Sequence, residues 1–198
     1  ASVVSQKYET LWTQGNFNNE VGVPLTMFRI EDHHQAAIIE MGMNHFGELD
    51  RIAKAVRPHI GVISNVGVAH IEYLGSREGI LKAKCEMLGH MDANGVAILN
   101  ADNDMLQTLE GKLPQKIRWY GVENKKDFYA DEIEQTGLEK TAGTIHTPIG
   151  NVRVDIPIPG VHMVLNALSA AAVGVELGLS LEQVKAGIEG FKATKNRM

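Results

Sequence analysis

Several polar residues in the 198-residue chain stand where chemistry is done rather than where packing is done. His70 and Glu72 follow at once on Ile60 to Val66, an apolar run rich in β-formers that reads as a buried parallel strand. Ligands of open α/β sheets bind beyond the carboxyl ends of the strands, so an imidazole and a carboxylate there are site candidates. Glu40 stands in a similar place in Ala36 to Met41, read as a buried strand that ends in a carboxylate. Packing explains such a carboxylate poorly.

Lys84 is the third candidate. A helix is predicted to start at Ser76, which can cap it. Gly79 stands three residues on, so a full capping box is excluded. At 3.6 residues per turn, Ile80, Lys84, Met87, Leu88 and Met91 share one face, while Lys82 lies opposite with Glu78 and Glu86. A lysine in an apolar stripe is costly unless paired, neutral or modified. Two readings stay open: an inward lysine, or one whose stem runs past its neighbours to water.

Amides and a second histidine complete the set. Asn18 or Asn19 can cap a helix that carries Val21, Leu25, Phe28 and Ile30 on one face, with Pro24 tolerated in its first turn. Asn100 to Asp104 is a run of Asx residues beyond a strand over Gly95 to Leu99. It is either a metal site or a turn and helix cap, and Asx side chains more often bond their own backbone. His162 and Asn166 lie one turn apart at the start of a long helix. A lone helix histidine is usually a satisfied core or capping residue.

The elements that must hold these residues alternate between strand and helix. A remnant of helix is expected over residues 2–8 and a short strand over Glu9 to Trp12. Helices follow over Glu48 to Val56, ended by Arg57-Pro58, and over Asp104 to Leu113. Lys116 to Tyr120 is a strand. Tyr129 to Glu134, Thr144 to Thr147 and Val152 to Ile156 alternate apolar and polar and read as a small antiparallel sheet with one wet face. Val161 to Leu177 is a long apolar helix closed by Gly178, and Ser180 caps a last one to about Phe191. The fold class is α/β: a mostly parallel sheet flanked by helices, with a small antiparallel sheet added.

Composition narrows the function. With 44% hydrophobic and 22% charged residues, the chain can bury one sizeable core. A net charge of −5 gives no nucleic-acid surface. A single cysteine, Cys85, excludes an internal disulfide and fits a reducing, cytoplasmic setting. No apolar run reaches the roughly 18 residues of a membrane span, and no signal peptide is evident at Ala1 to Tyr8.

The succession EMGMN, SNVGVAHIEYLGS, REGILKAKCEM and VAILNADND resembles the central domain of the Mur ligases over nearly the whole chain. The pattern is nearest to the type that adds D-alanyl-D-alanine. The resemblance implies a P-loop NTPase-like middle domain of an ATP-dependent amide ligase in peptidoglycan synthesis, with UDP-MurNAc-tripeptide and D-Ala-D-Ala as substrates and a monomeric enzyme. It implies that Glu40 helps hold one Mg²⁺ and His70 a second. It implies that Lys84 reacts with carbon dioxide to give a carbamate at the second metal. It places Asn18 and Asn19, within GNFNNEVGVP, near the nucleotide. It places His162 and Asn166 near the adenine, and Arg197 at the phosphates. The family's GxHNxxNALAA pattern has asparagine where this chain has Met163, so one amide contact is missing.

No G-x-x-G-K-[ST] phosphate loop occurs in the sequence. The chain therefore reads as a central domain over residues 1–198 cut at both ends, with the phosphate loop and the flanking N- and C-terminal domains outside it, and inactive by itself. Two rival functions are another amide ligase of the superfamily, such as a folylpolyglutamate synthetase, and a non-catalytic nucleotide-binding or scaffolding module.

Overall fold

Short apolar runs in the first half of the chain form parallel strands, each followed by a helix. The structure is a computed structural model that describes residues 1–92, 94–136 and 140–192. Its contacts divide the chain into two compact units. One, here the cleft unit, holds Glu9–Leu99 and Asn103–Ile117. The other, the meander unit, holds Ala1–Tyr8, Asn100–Asp102 and the chain from Arg118 on.

In the cleft unit, β1 (Thr10–Trp12) pairs in parallel with β2 (Ala36–Ile38), Leu11 opposite Ala37. Between them lies α1 (Gly22–Met27). β3 (Ile60–Ile63) pairs in parallel with β4 (Val96–Asn100), Val62 opposite Ile98. α2 (Glu48–Val56) precedes β3 and packs on the 3₁₀ turns of Glu86–His90. Arg57 ends α2 in the left-handed region at φ 50°, and Pro58, which follows it, cannot continue the helix. After β3 come α3 (Ile71–Leu74), α4 (Arg77–Cys85) and, beyond β4, α5 (Asp104–Gln107). Ile63, Val66, Leu74, Ile80, Ala83, Leu88, Ile98, Leu99 and Leu106 are buried here. Each large aliphatic side chain so removed from water stabilises the fold by about 1.5–3 kcal/mol.

In the meander unit, β5 (Lys116–Gly121) runs parallel to β6 (Phe128–Thr136), with Tyr120 opposite Phe128. β6, β7 (Lys140–Thr147) and β8 (Gly150–Ile156) follow as antiparallel neighbours. Their inner face, Phe128, Ala130, Ile145, Val154 and Ile156, is buried. α6 (Val161–Glu176) packs on β6 and β7, and α7 (Leu181–Glu189) on β8. Ser180 and Gln183 close a full capping box on α7. A Cβ on Gly187 would sit 2.4 Å from Val3 Cα, so α7 lies against the first residues only because that position is glycine.

Four expectations change. β2 is half-exposed and exposed in turn rather than buried, and Glu40 stands two residues beyond its end. α1 buries Gly22, Val23 and Thr26 and leaves Val21, Leu25, Phe28 and Ile30 exposed. Gly22 decides this: a Cβ there would lie 2.5 Å from the Phe17 backbone, so the glycine face must point inward. α5 stops at Gln107. Beyond it Thr108, Leu109, Glu110 and Lys112 each donate to the carbonyl three residues back, so the chain winds in tight turns to Gly111 and Lys112. The antiparallel strands are not an appended sheet, because β6 continues directly from β5 through Tyr120 and Phe128.

Candidate functional site

A cleft of about 460 Å³ opens in the cleft unit. Its lining includes Asn18, Asn19, Asn44, Glu48 and His70. Three loops bring these side chains together: the one before α1, the one after β2 and the one after β3. All three leave the carboxyl ends of strands or enter helices, which is where open α/β sheets bind ligands.

The loop before α1 is organised by its asparagines. Asn19 Oδ1 accepts the N–H groups of Val21, at 3.1 Å, and Gly22, at 2.8 Å, so this residue does cap the helix entry. Asn18 does something else. Its Nδ2 donates to Glu40 Oε1 at 2.9 Å, while its carbonyl accepts from Gly42 N at 2.7 Å. Glu40 N in turn donates to Thr13 Oγ1 at 2.9 Å. The Glu40 carboxylate is exposed and aimed by an amide.

The loop after β2 ends on α2. Glu48 Oε2 accepts Asn44 N at 2.6 Å and His45 N at 3.2 Å. These bonds, the Asn44 amide first, hold its carboxyl below the usual range. At the back of this loop Gly47 N donates to both oxygens of Glu86, at 2.9 and 3.0 Å.

His70 caps α3 from the left-handed region, φ 66° and ψ 15°. A non-glycine residue held there costs roughly 1–3 kcal/mol and is found where surrounding structure over-determines it, often at functional sites. Its ring is exposed on the cleft lining.

Lys84 lies on the buried side of α4, near Ile80 and Ala83, and is itself half-buried. Burial pushes its ammonium below the ordinary lysine range. Lys82 is exposed, with Nζ 5.8 Å from the Phe46 ring centroid. Lys82 and Lys84 therefore lie on different sides of α4, as the spacing predicts. Lys84 is not among the residues lining the cleft. Burial pushes the thiol of its half-buried neighbour Cys85 up to about 11.

The remaining candidates lie elsewhere. His162 and Asn166 occupy the first turns of α6 in the meander unit, both exposed. Asn166 Nδ2 donates to Met163 Sδ at 3.6 Å, so the thioether stands against the amide one turn after it. Arg197 lies outside the described residues. The Asx run proves structural. Asn103 caps α5, Asn100 Oδ1 accepts Asp102 N, and the Asp102 carboxylate accepts the N–H groups of Val122, Glu123 and Asn124 at 2.6, 3.2 and 2.7 Å. Asp104 is taken by Arg77.

Among the described residues no three of His, Cys, Asp and Glu converge on a point that could hold a metal ion. The donors that are present still suit Mg²⁺. This ion takes hard oxygens, keeps several waters and is commonly bound by one or two carboxylates plus substrate phosphates. The exposed carboxylate of Glu40 is a ligand of that kind. Spacing and strand-end position did not single out Asn44, Glu20 or Glu48 as lining residues. The signal for Asn44 and Glu48 was the N-x-x-x-E spacing at a helix start, which places a carboxylate under two loop amides.

The Mur ligase middle domain matches residues 1–174 of the chain. The UDP-N-acetylmuramoyl-tripeptide–D-alanyl-D-alanine ligase of Escherichia coli K12 is 38% identical over 200 residues, which cover 100% of this chain and 44% of that protein. The enzyme of the same name from Bacillus subtilis is 36% identical over 197 residues, 100% and 42% of the two chains. A crystal structure of MurF from Acinetobacter baumannii superposes with a TM-score of 0.93 at 38% identity, over 99% of this chain and 43% of that one. MurF from Thermotoga maritima, solved in complex with ADP, shares the fold, with a TM-score of 0.85 at 22% identity over 98% of this chain and 44% of that one. The chain thus spans less than half the length of these relatives.

Proposed function

Since the chain belongs to the Mur ligase middle-domain family, we propose that it is the ATP- and cation-binding part of a longer ligase that joins D-alanyl-D-alanine to a UDP-N-acetylmuramoyl-tripeptide. The supporting observation is the cleft in which Asn18, Asn19, Asn44 and the strained His70 meet beside the amide-aimed carboxylate of Glu40. The identity of 38% to enzymes of that name supports this substrate pair over other amide ligases.

The reaction has two steps. The tripeptide carboxylate attacks the terminal phosphorus of ATP, forming an acyl phosphate and releasing ADP. The D-alanyl-D-alanine amine then attacks the acyl carbon, loses a proton and expels phosphate. Bound Mg²⁺ would offset the charge on the transferring phosphoryl group. Glu40 would hold one cation, with Asn18 fixing which oxygen it presents. His70 and the Lys84 carbamate would serve a second. Burial favours the neutral amine of Lys84, the form that adds carbon dioxide with loss of a proton. Asn19, His162, Asn166 and Arg197 would attend the nucleotide. The same reading makes the enzyme a cytoplasmic monomer.

The test uses the intact enzyme with ATP, the UDP-linked tripeptide and D-alanyl-D-alanine. ADP and the pentapeptide product should form in equal amounts. Glu40→Gln and His70→Ala should each raise the Mg²⁺ needed for half-maximal rate by roughly 10–100-fold. Turnover without a divalent cation, or an unchanged Mg²⁺ requirement in both variants, would sink the assignment. Sustained ATP turnover at an undiminished rate without the dipeptide would sink the substrate pair.

A further inference from the structure

The first residue of α4, Arg77, makes a contact that the reaction outlined above does not call for. Its guanidinium forks onto Asp104, Nη1 to Oδ2 at 2.8 Å and Nη2 to Oδ1 at 2.5 Å. Nη2 also donates to the Val66 carbonyl at 2.9 Å. Asn103, buried at the start of α5, reaches the same place. Its Nδ2 donates to Asn65 Oδ1 at 2.7 Å and to Val66 O at 3.3 Å, while its Oδ1 caps Leu106 N. The Val66 carbonyl therefore receives two donors, one from each of two helix starts.

Val66 lies where β3 has just ended, and the chain reaches His70 four residues later. Gly67, Val68 and Ala69 have little burial of their own, Val68 and Ala69 being exposed. The loop is thus pinned at Val66 on one side and by α3 on the other, where the His70 carbonyl accepts from Tyr73 and Leu74. Arg77 opens the same helix that carries Lys84 two turns on. One side chain therefore joins the His70 loop to the Lys84 helix, and Asp104 holds that side chain in its forked geometry. A bidentate fork fixes orientation as well as distance, which a single ammonium contact does not.

We propose that Arg77, held by Asp104, is a positioning residue that fixes the His70 loop relative to the Lys84 helix and so sets the affinity of the second cation. This rests on the reading that His70 and a carbamylated Lys84 serve one cation. Neither Arg77 nor Asp104 touches the reacting groups. Arg77 acts through Val66, and Asp104 acts through Arg77.

The experiment uses the intact enzyme with Asp104→Asn, Arg77→Gln, the double variant and Asp104→Glu. Three readouts are taken: the Mg²⁺ concentration for half-maximal turnover, Mn²⁺ binding by electron paramagnetic resonance, and the carbamate carbon signal by NMR after supply of ¹³C-bicarbonate. Asp104→Asn and Arg77→Gln should each raise the Mg²⁺ requirement roughly tenfold, at the low end for residues that orient metal ligands. Mn²⁺ affinity and the carbamate signal should fall with it, while KM for the UDP-linked tripeptide stays put. The double variant should be no worse than Arg77→Gln alone, because the two act as one unit. Asp104→Glu keeps the carboxylate and should restore most of the affinity. A lowered melting temperature with unchanged Mg²⁺ requirement, Mn²⁺ affinity and carbamate signal would overturn the proposal and leave Arg77 a structural ion pair. A wild-type enzyme with no carbamate signal, together with a His70→Ala variant of unchanged Mg²⁺ requirement, would overturn the reading beneath it and this proposal with it. That failure shows before any Arg77 or Asp104 variant is measured.

Discussion

The Asn18 side-chain amide donates to Glu40 Oε1 at 2.9 Å, tying the entry of α1 to the exit of β2. Glu40 is exposed. This amide and the bond of its own N–H to Thr13 Oγ1 both help to set its direction. A carboxylate aimed in advance binds a cation without first giving up rotamer freedom.

Asn18→Ala in the intact enzyme should therefore weaken Mg²⁺ by roughly 10-fold while the fold stays intact. Asn18→Asp should be worse, since a second carboxylate at hydrogen-bond distance repels the first. Mg²⁺ titration of turnover, with melting temperature as the control, checks both. Wild-type Mg²⁺ dependence in Asn18→Ala would show that Glu40 needs no such guide.

Asp102 offers a stability test within the meander unit. Its carboxylate accepts three consecutive backbone N–H groups from the turn after β5. Removing it leaves those donors to water or to nothing. Asp102→Ala should cost about 1–3 kcal/mol in denaturant unfolding. Gly121→Ala should also destabilise, because its Cβ would stand 2.6 Å from Asp102 Oδ1. If Asp102→Ala unfolds like the wild type, the turn holds its own shape and the carboxylate only decorates it.

The Asx run shows what the sequence could and could not decide. Residue types alone left metal ligation and capping open over Asn100 to Asp104, and only the position of residues 122–124 settled Asp102 as an acceptor of backbone amides. That contact is about twenty residues distant and leaves no local signal. Helix starts at Ser76 and Ser180 were legible because caps are local, and both side chains do cap. The Lys84 face was legible because helical period is local. The α1 face was not. Val21, Leu25 and Phe28 make a convincing stripe, yet the tight approach of Gly22 to Phe17 turns them outward. The amide that aims Glu40 comes from 22 residues earlier, and the Arg77 fork reaches 27 residues on. Strand-end placement found Glu40 and His70 themselves, since topology fixes where strands of an α/β sheet open. It could not find the residues that hold them.

The burial of Lys84 carries a pH signature. Its folded-state pKa is lowered from the ordinary 10.5, so the unfolded chain binds more protons in the window between the lowered value and 10.5. Stability contributed by this group therefore rises with pH through that window, and the cost of burying the ammonium is largest below it. Lys84→Met, of similar length and uncharged, should melt higher than the wild type near neutral pH. The gap should narrow as pH climbs toward 10.5. A gap that is constant with pH would mean that the ammonium is solvated in the folded state.

The same residue allows a test of the proposed carbamate. In the intact enzyme Lys84→Ala should lose most turnover and keep its fold. Lys84→Arg should fail too, because a guanidinium stays charged and cannot add carbon dioxide. If the missing group is an anion, formate or acetate can enter the space that alanine leaves. Either should partly restore turnover to Lys84→Ala and not to Lys84→Arg, where the space is filled. Lys82→Ala is the control. Lys82 is exposed two residues earlier on the opposite side of α4, and its loss should be nearly silent. Normal turnover in Lys84→Arg would refute the carbamate role. An inactive Lys84→Ala that no small carboxylate revives would point to a positive charge, rather than an anion, as the group the reaction uses there.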